Sequence, residues 1–238
     1  RIDLYLNREA DQSFFNVNQI ASLISCGAVI ENIKIMASSL GVKAEIKNKF
    51  HGQKDDWVAS VELFPEQVEK NPLSDFIWAR HTNRKFYKKD PPPSSVLQSI
   101  QCGIEDIPGT KLHIVTDKNK LKQLAKIIYR IDRIRTEHRP LHEHLMSMIR
   151  FTKREALEKR DGFPLKNLEA GMAGEVFLKM TKSWAVMNMV NKLGLGRMVA
   201  LHSYQGIINT SGVALLTVDG VDGQNFIAGG RADRKSVV

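Results

Sequence analysis

Cysteine is nearly missing: Cys26 and Cys102 are the only two in 238 residues. Two are too few for a disulfide framework, and no Cys-x-x-Cys spacing offers a metal site, so a reducing compartment is expected. Long apolar runs are scarce as well. The candidates, such as Gly212 to Leu216, are strand-sized against the roughly 18–20 residues of a membrane span, and an integral membrane protein is not expected. Glycine and proline are modest at 16 and 8, and apolar residues recur throughout, which excludes a disordered chain. No catalytic-triad signature is present. What the chain has is an ordinary globular balance, 42% hydrophobic and 26% charged, enough for a sizeable core. Acidic residues fall short of basic ones, 26 against 35, for a net charge of +9. Such a surplus favours phosphorylated cofactors, nucleic acid or acidic lipid, with a merely solvated basic surface as the plain alternative.

Ile2, Leu4 and Leu6 alternate with polar neighbours as in a half-buried strand. Asn16-Val17-Asn18 offers N-caps for a long helix apolar nearly all round, which predicts a central element ending at Gly41. Gly27 in its middle predicts close backbone packing. Ala44–Phe50 and Trp57–Phe64 read as a hairpin joined by the loop from His51 to Asp56. A helix is expected from Ser74 through Trp78 and Ala79 into a basic cluster, closed by Pro91-Pro92-Pro93.

Further on, Ser94–Gln101 reads as a helix and Leu112–Thr116 as a strand. Residues 117–137 read as a charged helix with Leu121, Leu124, Ala125, Ile128, Ile131 and Ile134 on one face, and 141–160 as another helix. Arg160 to Pro164 is a turn, Met172 to Asn209 is helical with a break at Gly194-Leu195-Gly196, and Val213–Val218 is a strand. Helix outweighs strand by about two to one, an α+β class. Ile24-Ser25-Cys26-Gly27-Ala28 is echoed by Ile227-Ala228-Gly229-Gly230-Arg231-Ala232, which suggests two-fold pseudo-symmetry.

The most informative segment is Arg80-His81-Thr82-Asn83-Arg84-Lys85-Phe86. Two guanidinium groups four residues apart, with a hydroxyl between them, match phosphate oxygens and a second electron-rich group. A solvated cationic helix cap is the bland alternative. Other signals are weaker. Pro140 breaks the face that His138, His142 and His144 would share as metal ligands, and no metal is expected. Gly194-Leu195-Gly196 lacks the third glycine of a dinucleotide fingerprint. Asp219 to Gly223 is a turn without the Glu of a calcium loop. Cys26 reads as a small packing residue.

The segment from Arg80 to Phe86 resembles the motif that opens FMN-dependent nitroreductases. The likeness is nearest to the Acg-type subgroup, in which a Cys-Gly helix like Ile24 to Asn32 precedes a Thr-Asn-Arg motif. An Arg-Asp-Gly turn like Arg160-Asp161-Gly162 and a helix like Trp184 to Gly194 follow. The resemblance implies a sheet flanked by helices in two pseudo-symmetric halves. These are residues 1–72 and residues 73–238, the latter with a helical insert at 117–210. It also implies either a homodimer or one chain mimicking it.

It implies FMN as cofactor, with Arg80 on the phosphate and Thr82 on the phosphate or ribityl chain. His81 and Asn83 would lie nearby, and Arg84 would approach N1/O2 of the ring, where a fixed cation stabilises the charge left by hydride arrival. No residue of the chain is then catalytic in its own right. NAD(P)H is the implied reductant and a nitroaromatic or quinone-type small molecule the acceptor. A cytoplasmic location is expected, with no membrane partner and nucleic acid disfavoured. The chain opens at Arg1 in a strand that a Ser-x-His-Asn-x-Gln-Pro-Trp-like segment would precede, and it stops at Val238. A fragment cut at both ends is therefore expected. A flavin-sequestering protein without turnover, its pocket covered by the charged insert at 117–160, and a basic nucleic-acid-binding module are the competing readings.

Overall fold

The computed structural model describes residues 1–10, 13, 15–47 and 56–237. In chain order the elements are β1 (Ile2–Tyr5), α1 (Ile20–Ser39), β2 (Lys43–Lys47), β3 (Trp57–Phe64), α2 (Ser94–Cys102), β4 (Thr110–Val115), α3 (Lys118–Glu137) and α4 (Arg139–Met148). There follow β5 (Ile149–Arg150), α5 (Lys153–Lys159), β6 (Phe163–Pro164), α6 (Gly171–Met180), α7 (Trp184–Lys192), α8 (Arg197–Ile208), β7 (Val213–Val218) and α9 (Gly223–Val237). Helix takes 55% and strand 15%, a mixed class more lopsided than the expected two to one. The chain forms two compact units, the first from Arg1–His81, Pro92–Ile114 and Ala214–Val238, the second from Thr82–Pro91 and Val115–Val213.

In the first unit β3 is the middle strand, antiparallel to β1 on one side and to β2 on the other. The hairpin pairing expected from the sequence is present, with Lys43 opposite Phe64 and Lys47 opposite Ser60. Its loop from Asn48 to Asp55 lies outside the described residues. Val58, Ala59 and Val61 of β3 are buried with Leu6, Leu23, Ile30 and Ile227, so one core joins the sheet, α1 and α9. A second cluster, Ile104, Ile107 and Ala232 with Leu112 and Leu216 against it, ties the paired strands β4 and β7 to α9.

The α1–α9 crossing organises this unit. A Cβ on Gly27 would overlap the Ile227 carbonyl oxygen, and one on Gly230 would overlap the Ile24 carbonyl oxygen. Each glycine thus meets the carbonyl three residues before the other, a reciprocal contact between the two echoed segments. Four and five residues past Gly27, Glu31 and Asn32 face α9. Glu31, 1% exposed, receives Arg231 at 2.9 Å, and Asn32 accepts from Arg234 Nε at 2.5 Å.

Helix α1 starts later than expected. Asn18 and Gln19 take positive φ, and the Asn16 side chain accepts from the Ala21 amide at 2.9 Å. It ends where Gly41, at φ 67°, turns the chain left-handed. Val29 is exposed, so the helix is not buried all round. Residues Val17–Ser39 are long and apolar enough by composition to cross a membrane, although Glu31 and Lys34 interrupt the apolar run. Within it Glu31 is buried against Arg231 of α9.

The helix expected from Ser74 is replaced by a short 3₁₀ turn at Pro72–Phe76, capped by Asn71 and closed by the Ala79 and Arg80 amides on the Phe76 carbonyl. Phe76 and Trp78 are exposed, so no buried face exists to hold a longer helix.

The second unit is built on α3 packed against α8, with α4 and α7 beside it. Leu121 and Ala125 of α3 are buried, whereas Ile131 and Ile134, expected on the same inward face, are exposed. The helix expected over 141–160 is broken: α4 stops at Met148, β5 pairs in parallel with β6, and α5 restarts behind a Thr152 cap. The break lets Arg150 turn inward and bind Asp161 at 2.8 Å across the turn at Gly162. That bond holds the Asp161 carboxyl below its ordinary range. Met146, Ile149 and Leu165 form the core there.

Alanine is the better helix former by about 1 kcal/mol, yet Gly27→Ala places a methyl on a backbone carbonyl that cannot yield without parting α1 from α9. Overpacking of this kind costs about 1–3 kcal/mol. The urea midpoint of the first unit, followed by Trp57 and Trp78 in a Trp184→Phe background, should therefore fall in Gly27→Ala.

Candidate functional site

The five residues singled out by sequence are all exposed, and they divide between the units. Arg80 and His81 belong to the first, Thr82, Asn83 and Arg84 to the second. They lie on irregular backbone beyond the 3₁₀ turn, so Arg80 and Arg84 do not share a helix face.

Arg80 follows directly from the turn that Pro72 and Asn71 set up, its amide bonded to the Phe76 carbonyl at 2.9 Å. Its guanidinium forms no ion pair among the described residues. His81 Nδ1 lies 3.4 Å from the Ala79 carbonyl. The residue sequence reasoning missed is Arg234, on α9. It is 8% exposed, with its Nε on Asn32 and its terminal nitrogen 3.4 Å from the Ile77 carbonyl. Burial, and next the charge of Arg80, push its pKa below the ordinary arginine value.

Nearby cations are neutralised in pairs. Arg231 has Glu31, and Lys34 and Lys235 share Asp106 at 3.5 and 2.6 Å. Neither Arg80 nor Arg234 forms an ion pair among the described residues, although the charge of Asp233 acts on Arg234 against that of Arg80. Bidentate N–H forks suit phosphate oxygens, so the two guanidiniums are candidate ligands for an anion. The only signal for Arg234 in the sequence is its place one turn after Gly230, which acquires meaning once α9 is known to cross α1.

In the second unit, Arg84 is already engaged. Its amide donates to Glu169 at 2.6 Å, its Nη1 to the Asn167 carbonyl at 3.0 Å, and its guanidinium lies 5.9 Å from the Phe163 ring centroid. Asn83 shapes the segment, its side chain accepting from the Lys85 amide at 3.0 Å and its carbonyl from the Tyr87 hydroxyl at 3.0 Å. Thr82 makes no hydrogen bond among the described residues.

Arg84, Lys85, Phe86 and Tyr87 form one side of a cleft of about 320 Å³, and His202, Gly206 and Thr210 of α8 and its following turn form the other. Phe86 stacks on His202 with centroids 4.8 Å apart. Gly206 faces the Phe86 ring. The volume sits at the low end of small-molecule sites. Sequence reasoning reached the near wall and not the far one, because His202 and Thr210 are remote along the chain and carry no motif.

The remaining titratable clusters are structural. No group of three metal-ligating side chains occurs among the described residues. His142 is buried on α4, 5.7 Å from the Trp184 ring, with Nε2 unpartnered. Burial pushes its pKa down, and the backbone of Lys182 and Thr181 pulls weakly the other way. Cys26 is half-buried, and burial pushes its thiol up, away from a reactive thiolate. No family model matches the chain, and no curated protein matches it at a significant level.

The depressed pKa of His142 has a definite sign. Unfolded, the ring titrates near its ordinary value of about 6.5. Folded, it resists the proton, so the unfolded state binds more protons as pH falls through that value and stability drops. Urea unfolding followed by Trp184 should show the second unit weaker at about pH 5.5 than at about pH 7.5, straddling that ordinary value. A His142→Phe variant should lose most of that difference.

Proposed function

We propose that the chain is an FMN-dependent oxidoreductase of nitroreductase-like fold, with the flavin phosphate held by Arg80 and Arg234. The observation that carries this reading is the buried Arg234 guanidinium, held by Asn32 and the Ile77 carbonyl and in no ion pair among the described residues, with the exposed Arg80 three residues beyond Ile77. The donor set fits a phosphate monoester. Arg234 is oriented by Asn32 and the Ile77 carbonyl before any ligand arrives, and Arg80 supplies a second fork from solvent. A dianion between them also relieves the repulsion that depresses Arg234. The reciprocal Gly27–Gly230 contact supports the pseudo-symmetric fold that the resemblance implies.

When bound, FMN supplies the relay of hydride from NAD(P)H to a nitroaromatic or quinone-type acceptor. The residues' part is narrower. Arg234 is fixed because its helix cannot move without breaking the glycine contact and the Glu31–Arg231 pair. A fixed cation binds an anion without reorganising. Arg80, exposed and free to swing, can close on the phosphate after it arrives. Both act by charge and hydrogen bonding.

Titration of the chain with FMN and with riboflavin separates the phosphate contact from the ring contact. Arg80→Ala should weaken FMN by roughly 10–100-fold, the worth of a charge-assisted hydrogen-bonded contact, and leave riboflavin unchanged. Equal losses for both ligands, or no FMN binding by the unaltered protein, would count against the assignment. A bound flavin that NAD(P)H cannot reduce would instead indicate sequestration without turnover.

A further inference from the structure

The second unit carries a surface that the flavin reading does not use. On α3, Ile127, Ile131 and Ile134 are 54%, 53% and 54% exposed. At 3.6 residues per turn they fall within an arc of roughly 60°. The opposite face of the helix is the buried one, with Leu121, Ala125 and Thr136. Lys120 and Arg130 lie among the isoleucines by the same spacing, and Lys126 borders them. None of these three cations forms an ion pair among the described residues, whereas Arg133 and Arg135 are paired to Glu137 and Asp132. Beside Lys126, an apolar groove of about 160 Å³ is lined by Tyr129, Leu201 and Tyr204. Tyr129 and Tyr204 meet edge to face at 6.4 Å.

We infer that this face of α3 docks on the surface of an anionic phospholipid bilayer. Exposed branched aliphatics flanked by unpaired Lys and Arg on one helix are the composition of an interfacial helix. The apolar side chains enter the acyl boundary while the cations meet acidic headgroups. Charge decides between the possible occupants. A second copy related by a two-fold axis would bring Lys120, Lys126 and Arg130 against their own equivalents, a repulsion that a bilayer of acidic lipid converts into attraction. Nucleic acid would satisfy the cations and leave three isoleucines in water. The inference departs from the expectation of no membrane partner and is independent of the flavin assignment.

The test is co-sedimentation of the full chain with vesicles of phosphatidylcholine alone and of phosphatidylcholine mixed with phosphatidylserine, at low and high salt. Binding to the mixed vesicles only, weakened by salt, is expected. The pair Lys126→Gln with Arg130→Gln should reduce it about thirtyfold, from roughly fivefold per basic residue near an anionic surface. The pair Ile127→Asp with Ile131→Asp, at exposed positions that leave the fold intact by circular dichroism, should abolish it. Three results overturn the inference. One is absent or lipid-independent binding. Another is duplex DNA binding that matches vesicle binding in strength and ignores the Ile variants. The third is a dimer in sedimentation that Ile131→Asp dissociates.

Discussion

The contact between Gly27 and Gly230 is the constraint from which the first unit takes its shape. Two helices whose backbones meet at glycine approach too closely for any side chain to stand between them. At that separation the residues one turn further on are forced into register. Glu31 therefore faces Arg231 and Asn32 faces Arg234. A buried carboxylate is tolerable only because its partner is delivered by the same crossing. The position of Arg234 on Asn32 is a consequence of that geometry, so one candidate anion ligand is set by a packing contact between two glycines that carry no chemistry.

Charge is distributed differently in the two units. In the first, Arg231 is matched with Glu31 while Lys34 and Lys235 share Asp106, and Arg80 and Arg234 are in no ion pair among the described residues. In the second, Lys120, Lys126 and Arg130 of α3 form no ion pair among the described residues, and exposed isoleucines share the helix with them. The net charge of +9 is thus not a uniform solvated coat. Part of it lies at Arg80 and Arg234 of the first unit, and part along α3 of the second. Arg84, by contrast, has been drawn into hydrogen bonds with Glu169 and Asn167, which hold the segment before Phe86 against the rest of its unit.

Local rules did well where the signal was local. The hairpin of β2 and β3, the strand β7, the full length of α3 and the glycine stop at Gly41 follow from alternation, helical spacing and backbone freedom, all of which act over a few residues. They failed where packing decides. The run from Ser74 had helix-compatible residues and no face to bury, so it collapsed to a 3₁₀ turn. The run from 141 to 160 was cut because the Arg150 side chain and the β5–β6 pairing compete successfully with continued helix. Ile131 and Ile134 belong to an apolar series by spacing, but the helix presents only part of that series to α8.

Sequence alone determined that the chain mixes helix and strand, that Gly27 marks a close approach, that two segments echo one another, and that Arg80 to Arg84 is a concentrated source of cations. Tertiary structure alone decided that the echoed segments pack against each other, that Arg234 joins Arg80, and that Arg84 turns to its own unit. It also decided which isoleucines of α3 meet water, and that the contacts of Arg234 are Asn32 and the Ile77 carbonyl. The division has a physical cause. Backbone conformation and amphipathic period are written in neighbouring residues, whereas an anion receptor or an exposed face depends on which distant surface arrives opposite and which groups it neutralises.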